Sequence, residues 1–178
     1  MKIVVLTGSP HHSGTSEQLA DAFVKGATEA GHQIYRFDAG RRAKEFSLLQ
    51  LEDDHPGQEV AVEPEDVITT EVIPHLLEAD LVVFVSSLYY YGINAALKAV
   101  IDRFYAKNHE LHGGKRAITL VSGYGQPAAF DSLQRYFDQL LDYMRWPSAG
   151  AVLAADSWNQ QKLATHVEEA YQLGMNLK

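Results

Sequence analysis

Continuous apolar runs alternate along this chain with stretches whose apolar positions recur at helical spacing. Lys2 to Thr7 is an apolar run that stops at Gly8, the pattern of a strand covered on both faces. From about Ser16 to Ala30, Leu19, Ala22, Phe23, Ala27 and Ala30 mark one face of a helix. Thr15 and Gln18 have the spacing of a capping box at its start, and Gly31 supplies a stop. Gln33 to Phe37 reads as a short second strand. Residues 38–65 show weak periodicity and contain the loop signal Glu52-Asp53-Asp54-His55-Pro56-Gly57. A structureless insert of that length is uncommon in a compact domain, so the segment is expected to be functional or partly ordered. Glu65 to Ala79 predicts a helix, with Pro74 either kinking it or sitting in the first turn of a restart. Leu81 to Val85 is the clearest buried strand, and Asn94 to about Lys107 a helix with Leu97, Val100, Ile101 and Phe104 on one face. A strand over Arg116–Val121, a helix over 129–145, a strand over Ala149–Ala154 and a helix over Asn159–Leu173 complete the pattern.

Five strands alternating with five helices predict an α/β fold, a doubly wound parallel sheet with helices on both faces. At 178 residues, without repeats or linkers, one domain over 1–178 is expected. The chain has no cysteine, which rules out disulfides, thiolate metal sites, iron–sulfur clusters and a cysteine nucleophile, and so the cysteine-dependent phosphatases of similar size. Fifteen basic against 23 acidic side chains give a net charge of −8, and no basic run forms, so nucleic acid is not an expected partner. The first apolar run is too short for a secretory signal, and none approaches the roughly 20 residues of a membrane span. A cytoplasmic protein with no membrane partner is expected. His109 and His112 have i, i+3 spacing, but Gly113-Gly114 follow and the reading preferred is solvated surface histidines, with no metal.

Chemistry concentrates in three loops that follow strands. Gly8-Ser9-Pro10-His11-His12-Ser13-Gly14-Thr15-Ser16 joins the first strand to the first helix. Free amides at a helix N-terminus attract anions, and the hydroxyls of Ser9, Ser13, Thr15 and Ser16 can bond phosphate oxygens. The same residues suit a turn and cap without any ligand. Five residues between Gly8 and Gly14, followed by Thr15, match neither the P-loop nor the Rossmann glycine spacing. Ser86-Ser87-Leu88-Tyr89-Tyr90-Tyr91-Gly92-Ile93-Asn94 follows the strongest strand, and no Asp ends that strand as a phospho-acceptor would require. In an open sheet of order 2-1-3-4-5, ligands bind outside the carboxyl ends of the first and third strands, so both loops would face one crevice. Three successive tyrosines offer flat surfaces for a planar ring system or a partner, with at least one expected to pack beneath the loop. Ser122-Gly123-Tyr124-Gly125-Gln126-Pro127 ends the fourth strand. Its glycines allow close backbone approach, and Tyr124 could edge a flat ligand.

Together these residues resemble the NADPH-dependent FMN reductase-like flavoproteins of flavodoxin fold. In that family the first loop reads roughly Gly-Ser-Pro-Arg-Lys-x-Gly-x-Thr; here Gly8-Ser9-Pro10 and Gly14-Thr15-Ser16 stand in that pattern and Leu19-Ala20 also match. Its second motif reads Pro-x-Tyr-aromatic and then a helix of the form Leu/Met-Lys-Ala-x-Ile-Asp-Arg. Tyr89 and Tyr90 fall on the aromatic positions, and Leu97-Lys98-Ala99-Val100-Ile101-Asp102-Arg103 matches without a gap. The resemblance implies a flavodoxin-like sheet of order 2-1-3-4-5. It implies FMN, with its phosphate held by Ser9, His11, Ser13, Gly14, Thr15 and Ser16. It places Leu88, Tyr89, Tyr90, Tyr91, Gly92, Ser122, Gly123, Tyr124 and Gly125 beside the isoalloxazine. Lys98, Asp102 and Arg103 are expected to pack and pair on the helix. NADPH or NADH would be the electron donor, and a quinone, nitro compound, azo compound or free flavin the acceptor, by ping-pong hydride transfer with no catalytic acid–base side chain. A homodimer is expected by analogy. A flavodoxin-type electron carrier and a flavin-free interaction module of the same fold remain as alternatives.

Three features depart from the family pattern. Residues 38–65 correspond to the segment that carries cysteines in the iron–sulfur branch, and here there are none. Ser87 replaces the usual proline. His11 and His12 stand where Arg and Lys are common, and imidazole offsets phosphate charge only when protonated. FMN is therefore expected to bind more tightly below about pH 6.5, the ordinary imidazole pKa. Fluorescence titrations of FMN at about pH 5.5 and about pH 8, with circular dichroism confirming the fold, check this; equal affinities would sink it.

Overall fold

The apolar runs pair side by side as parallel strands in the computed structural model, which describes residues 1–53 and 55–178. The sheet strands are β1 (Lys2–Thr7), β2 (Gln33–Asp38), β5 (Leu81–Ser87), β6 (Arg116–Ser122) and β7 (Ser148–Ala154); a separate hairpin pairs β3 (Leu51–Asp53) with β4 (Val60–Ala61). The sheet order is β2-β1-β5-β6-β7, the doubly wound 2-1-3-4-5 order when only its own strands are counted. Alternate side chains of each strand face opposite layers, so each strand feeds two cores. Ile3, Val5, Leu81, Val83, Val85, Ile118 and Leu120 pack under α1 (Thr15–Glu29) and α6 (Gln160–Met175). Val4, Leu6, Val82, Phe84 and Val121 pack under α2 (Ile73–Glu78), α3 (Ala95–Asp102) and α5 (Asp131–Met144), where Trp146 is also buried and donates to the carbonyl of Leu111 at 2.8 Å. Among the described residues no helix is long and apolar enough to cross a membrane.

Several elements differ from expectation. The capping box at Thr15 and Gln18 does not form. Gly14 is the N-cap and no side chain caps α1, because the Thr15 hydroxyl turns to Ser122 and the Gln18 amide donates back to the Ser13 carbonyl at 3.3 Å. Gly31 does stop the helix: at φ +85° it lets its own amide reach Thr28 and that of His32 reach Ala27. The helix expected from Glu65 begins at Ile68 instead, since Asp66 accepts from the amides of Ile68 and Thr69 and so caps it. One π-helical turn, Ile68–Val72, precedes α2, and Pro74 occupies the first turn of the restart. The helix after Asn94 stays α-helical only to Asp102. It tightens to a 3-10 stretch over Arg103–Lys107, then runs on as α4 (Asn108–Leu111).

A buried cation pins the weakly periodic segment at Ser47. Arg103 is 2% exposed and donates to Asp66 at 2.7 Å, to the Ser47 carbonyl at 3.1 Å and to Thr69 at 2.7 Å. Burial alone would raise the Asp66 carboxyl; bonds from Arg103 and from the Ser47 and Thr69 amides hold it below the usual range. Removing one partner of such a pair typically costs about 3–5 kcal/mol. The loop signal at 52–57 starts inside β3, which holds Glu52 and Asp53, and its Asp54 lies outside the described residues. Lys98 pairs with Asp102 one turn along α3.

Helices α1 and α6 cross with their backbones in contact. A Cβ on Gly26 would lie 2.2 Å from the Tyr171 carbonyl oxygen, and one on Gly174 would lie 2.4 Å from that of Phe23. Only hydrogen at both positions permits this approach. Gly26→Ala should gain about 1 kcal/mol in helix propensity yet lose more by forcing the helices apart, for a net destabilisation of about 2 kcal/mol. Urea denaturation measures this; an unchanged or raised midpoint would contradict the close crossing.

Candidate functional site

Three loops meet at the carboxyl end of the sheet because β1 lies beside β5 and β5 beside β6. The first loop leaves β1 under tight constraint. A Cβ on Gly8 would sit 2.8 Å from Cβ of Leu97, and one on Gly40 would sit 2.4 Å from the Gly8 carbonyl oxygen. Residues just after β2 thus pass directly against the backbone of Gly8 and Ser9. Thr7 donates to Asp38 at 2.7 Å across the same gap.

Hydroxyl pairs tie the loops together. Thr15 Oγ1 lies 2.9 Å from Ser122 Oγ, and Ser16 Oγ lies 3.0 Å from Ser87 Oγ. These bonds draw the start of α1 against the ends of β5 and β6. Ser9 is buried and its hydroxyl accepts from the His11 amide at 3.2 Å. Ser13 takes the left-handed conformation, φ 56°, and its amide donates to Glu17. His11 and His12 are exposed on the rim. With no side-chain cap, the first amides of α1 are left to other acceptors, which is the arrangement that suits an anion.

Charge behind the loop is internally matched. Glu17 pairs with Arg36 and Arg41, and Asp38 pairs with the same two arginines. Burial would raise both carboxyls, but hydrogen bonds from Arg41 and the Ser13 amide to Glu17, and from Thr7 and Arg36 to Asp38, hold each below the usual range. These arginines serve carboxylates, so an anion at the loop would rest on amides and hydroxyls.

The second loop is a tight hairpin. Tyr89 and Gly92 exchange amide-to-carbonyl bonds of 3.2 and 2.9 Å, and between them Tyr90 and Tyr91 have φ of 47° and 64°. Two left-handed central residues define a type I′ turn, whose usual occupants are Asn and Gly. The turn throws all three tyrosines outward, Tyr90 to full exposure, so the expectation that one packs beneath the loop is not met. Leu88 takes that place: its amide donates to the Ser122 carbonyl at 2.8 Å, and its Cβ lies against Gly123. Ser86 accepts from the Asn94 amide at 3.1 Å, and Asn94 caps α3. In the third loop Gly123 could bear no Cβ without meeting Leu88 and Phe130, and Gly125 none without meeting Ala129. Tyr124 projects to solvent.

The residues singled out in the three loops therefore come together. A further aromatic joins them that their motifs did not indicate. Trp158 follows β7 and stands perpendicular to Tyr124, ring centroids 6.0 Å apart. Its position just past the carboxyl end of a sheet strand was the available signal. An uncapped helix start among hydroxyls, tied to loops that carry exposed flat rings, suits a ligand bearing a phosphate and a planar ring. His109 and His112 lie away from this end, His112 against Tyr143, and among the described residues no cluster of three potential metal ligands forms.

A family model described as NADPH-dependent FMN reductase matches residues 1–160 of the chain. An NAD(P)H-dependent FMN reductase of Saccharomyces cerevisiae is 30% identical over 143 residues, 75% of this chain and 72% of that one. An NAD(P)H:quinone oxidoreductase from Methanothermobacter marburgensis superposes with a TM-score of 0.74 at 18% identity, covering 99% of this chain and 95% of that one. An FMN-dependent NADH-azoreductase from Bacillus anthracis, solved in complex with FMN, superposes with a TM-score of 0.70 at 16% identity, covering 98% of each chain. At those identities the two structures speak to the fold alone.

Left-handed backbone at two adjacent tyrosines stores strain of about 1–2 kcal/mol. Replacing Tyr90→Asn together with Tyr91→Gly should release it and raise stability by about that amount. Chemical denaturation reads the change; a lowered midpoint would show that the turn is not strained.

Proposed function

This chain belongs to the NADPH-dependent FMN reductase family and is an FMN-dependent NAD(P)H oxidoreductase; we propose that it reduces a small quinone, nitro, azo or flavin acceptor in ping-pong fashion at the carboxyl end of its sheet. The observation that carries this reading is the pair of hydroxyl bridges, Thr15 to Ser122 and Ser16 to Ser87, which hold the phosphate-suited loop against the aromatic loops. FMN, when bound, supplies the two-electron chemistry between nicotinamide and acceptor.

The chain's own part is binding and placement. Ser9, Ser13, Gly14, Thr15 and Ser16, with the first amides of α1, hold the phosphate, and the helix dipole favours its charge. His11 and His12 stand on the open side of that loop, where protonation adds to the attraction. Leu88 to Gly92 and Ser122 to Gly125 line the ring, their glycines keeping the backbone close and their tyrosines giving it flat neighbours. Nicotinamide and acceptor then take turns at this end of the sheet, as ping-pong turnover requires. No side chain needs to carry a proton for this arrangement to work.

Absorption spectra of purified protein, with FMN and then with anaerobic NADPH or NADH, test the proposal. Bound flavin that bleaches on addition of nicotinamide and recovers its colour with a quinone is the expected result. Flavin that binds but ignores both nicotinamides would overturn the reductase reading.

A further inference from the structure

The segment between β7 and α6 places a tryptophan where the fold does not need one. Trp158 is 76% exposed, whereas the chain's other tryptophan, Trp146, is 1% exposed in the core. It adds to the exposed aromatic surface at this end of the sheet, beside Tyr124 at 73% exposure. The backbone that presents Trp158 is held on both sides. The Asp156 amide donates to the Gly125 carbonyl and that of Ser157 to the Gly123 carbonyl, each at 3.0 Å, while the Gly123 amide donates to Ala154 at 3.1 Å. Asp156 is left-handed, φ 50°, and its carboxylate pairs with Lys162 at 2.7 Å. Asn159 then caps α6. The loop is thus laced to the loop of Tyr124, and the two rings meet at 87°. A perpendicular pair forms a corner: a flat molecule can lie on one ring while meeting the other.

We propose that Trp158, cornered by Tyr124, is the platform on which the electron acceptor's own ring stacks, so that this residue selects flat aromatic or quinoid acceptors. The inference rests on the flavin seat proposed above, since Tyr124 belongs to the loop that would line the flavin ring. Trp158 lies one loop further out and serves the second substrate. Tyr89, Tyr90 and Tyr91, in the loop after β5 at the same end of the sheet, are exposed as well, so this end carries further aromatic surface.

The test compares FMN-loaded wild type, Trp158→Ala and Trp158→Phe with two acceptors, a naphthoquinone and ferricyanide, an octahedral ion with no flat face. In Trp158→Ala the ratio of kcat/KM for the naphthoquinone to that for ferricyanide should fall about tenfold, the scale of one lost aromatic pair. The fall should come from KM, and Trp158→Phe should recover most of it. Independently of turnover, the oxidised naphthoquinone should quench tryptophan emission saturably in wild type. That saturable quenching should vanish in Trp158→Phe, where only buried Trp146 remains. An unchanged acceptor ratio with FMN bound at wild-type affinity would overturn the role of Trp158 and leave the flavin seat standing. Weakened FMN affinity in Trp158→Ala would show that the residue serves the flavin, and overturn the inference. Failure of wild type to bind FMN would overturn the seat itself.

Discussion

The site depends on bringing the start of one helix within hydrogen-bond reach of the ends of two different strands. Parallel order supplies the neighbourhood, because β1 lies beside β5 and β5 beside β6. Reach is then a matter of small side chains. A hydroxyl pair spans about 3 Å, and Thr15–Ser122 and Ser16–Ser87 close the gap at 2.9 and 3.0 Å. Gly8 and Gly40 take part by what they lack, since any Cβ there would push β1's loop off Leu97 or off the strand-2 exit. Longer polar groups would keep the contacts only by holding the loops apart.

Electrostatics at this end follow the backbone more than the ionised side chains. The chain is acidic overall, at −8, and the arginines behind the first loop are taken up by Glu17 and Asp38. Both carboxyls are held below the usual range by the arginines and by neighbouring hydrogen-bond donors, which favours the paired network. What remains for an incoming anion is the uncapped end of α1, a field fixed in place by the fold.

Much of this architecture was legible in the chain. Runs such as Leu81–Val85 declare buried parallel strands, and the strand count and alternation lead to the doubly wound sheet. The loops at Ser9–Ser16, Leu88–Gly92 and Ser122–Gly125 do converge. Local pattern failed where a distant partner decides. Thr15 looks like a cap until Ser122, far along the chain, competes for its hydroxyl. Residues 38–65 show weak periodicity because distant partners hold them: Arg103, just past α3, binds the Ser47 carbonyl within the segment and Asp66 just beyond it. The tyrosines resist reading because their turn uses conformations that tyrosine rarely adopts. Trp158 is silent for a simpler reason: exposure has no signature in a short polar stretch.

The crossing of α1 and α6 gives the first loop an unexpected dependence. The helix that begins at the loop is seated on β1 at one end and against Gly174 further along. It behaves as a beam on two supports, and the second support belongs to the opposite end of the sequence. Protein synthesis proceeds from the N-terminal side at roughly 5–20 residues per second, so the loop emerges long before the residue that steadies its helix. The crossing that seats α1 from that side therefore forms only once Gly174 has been made and α6 has docked.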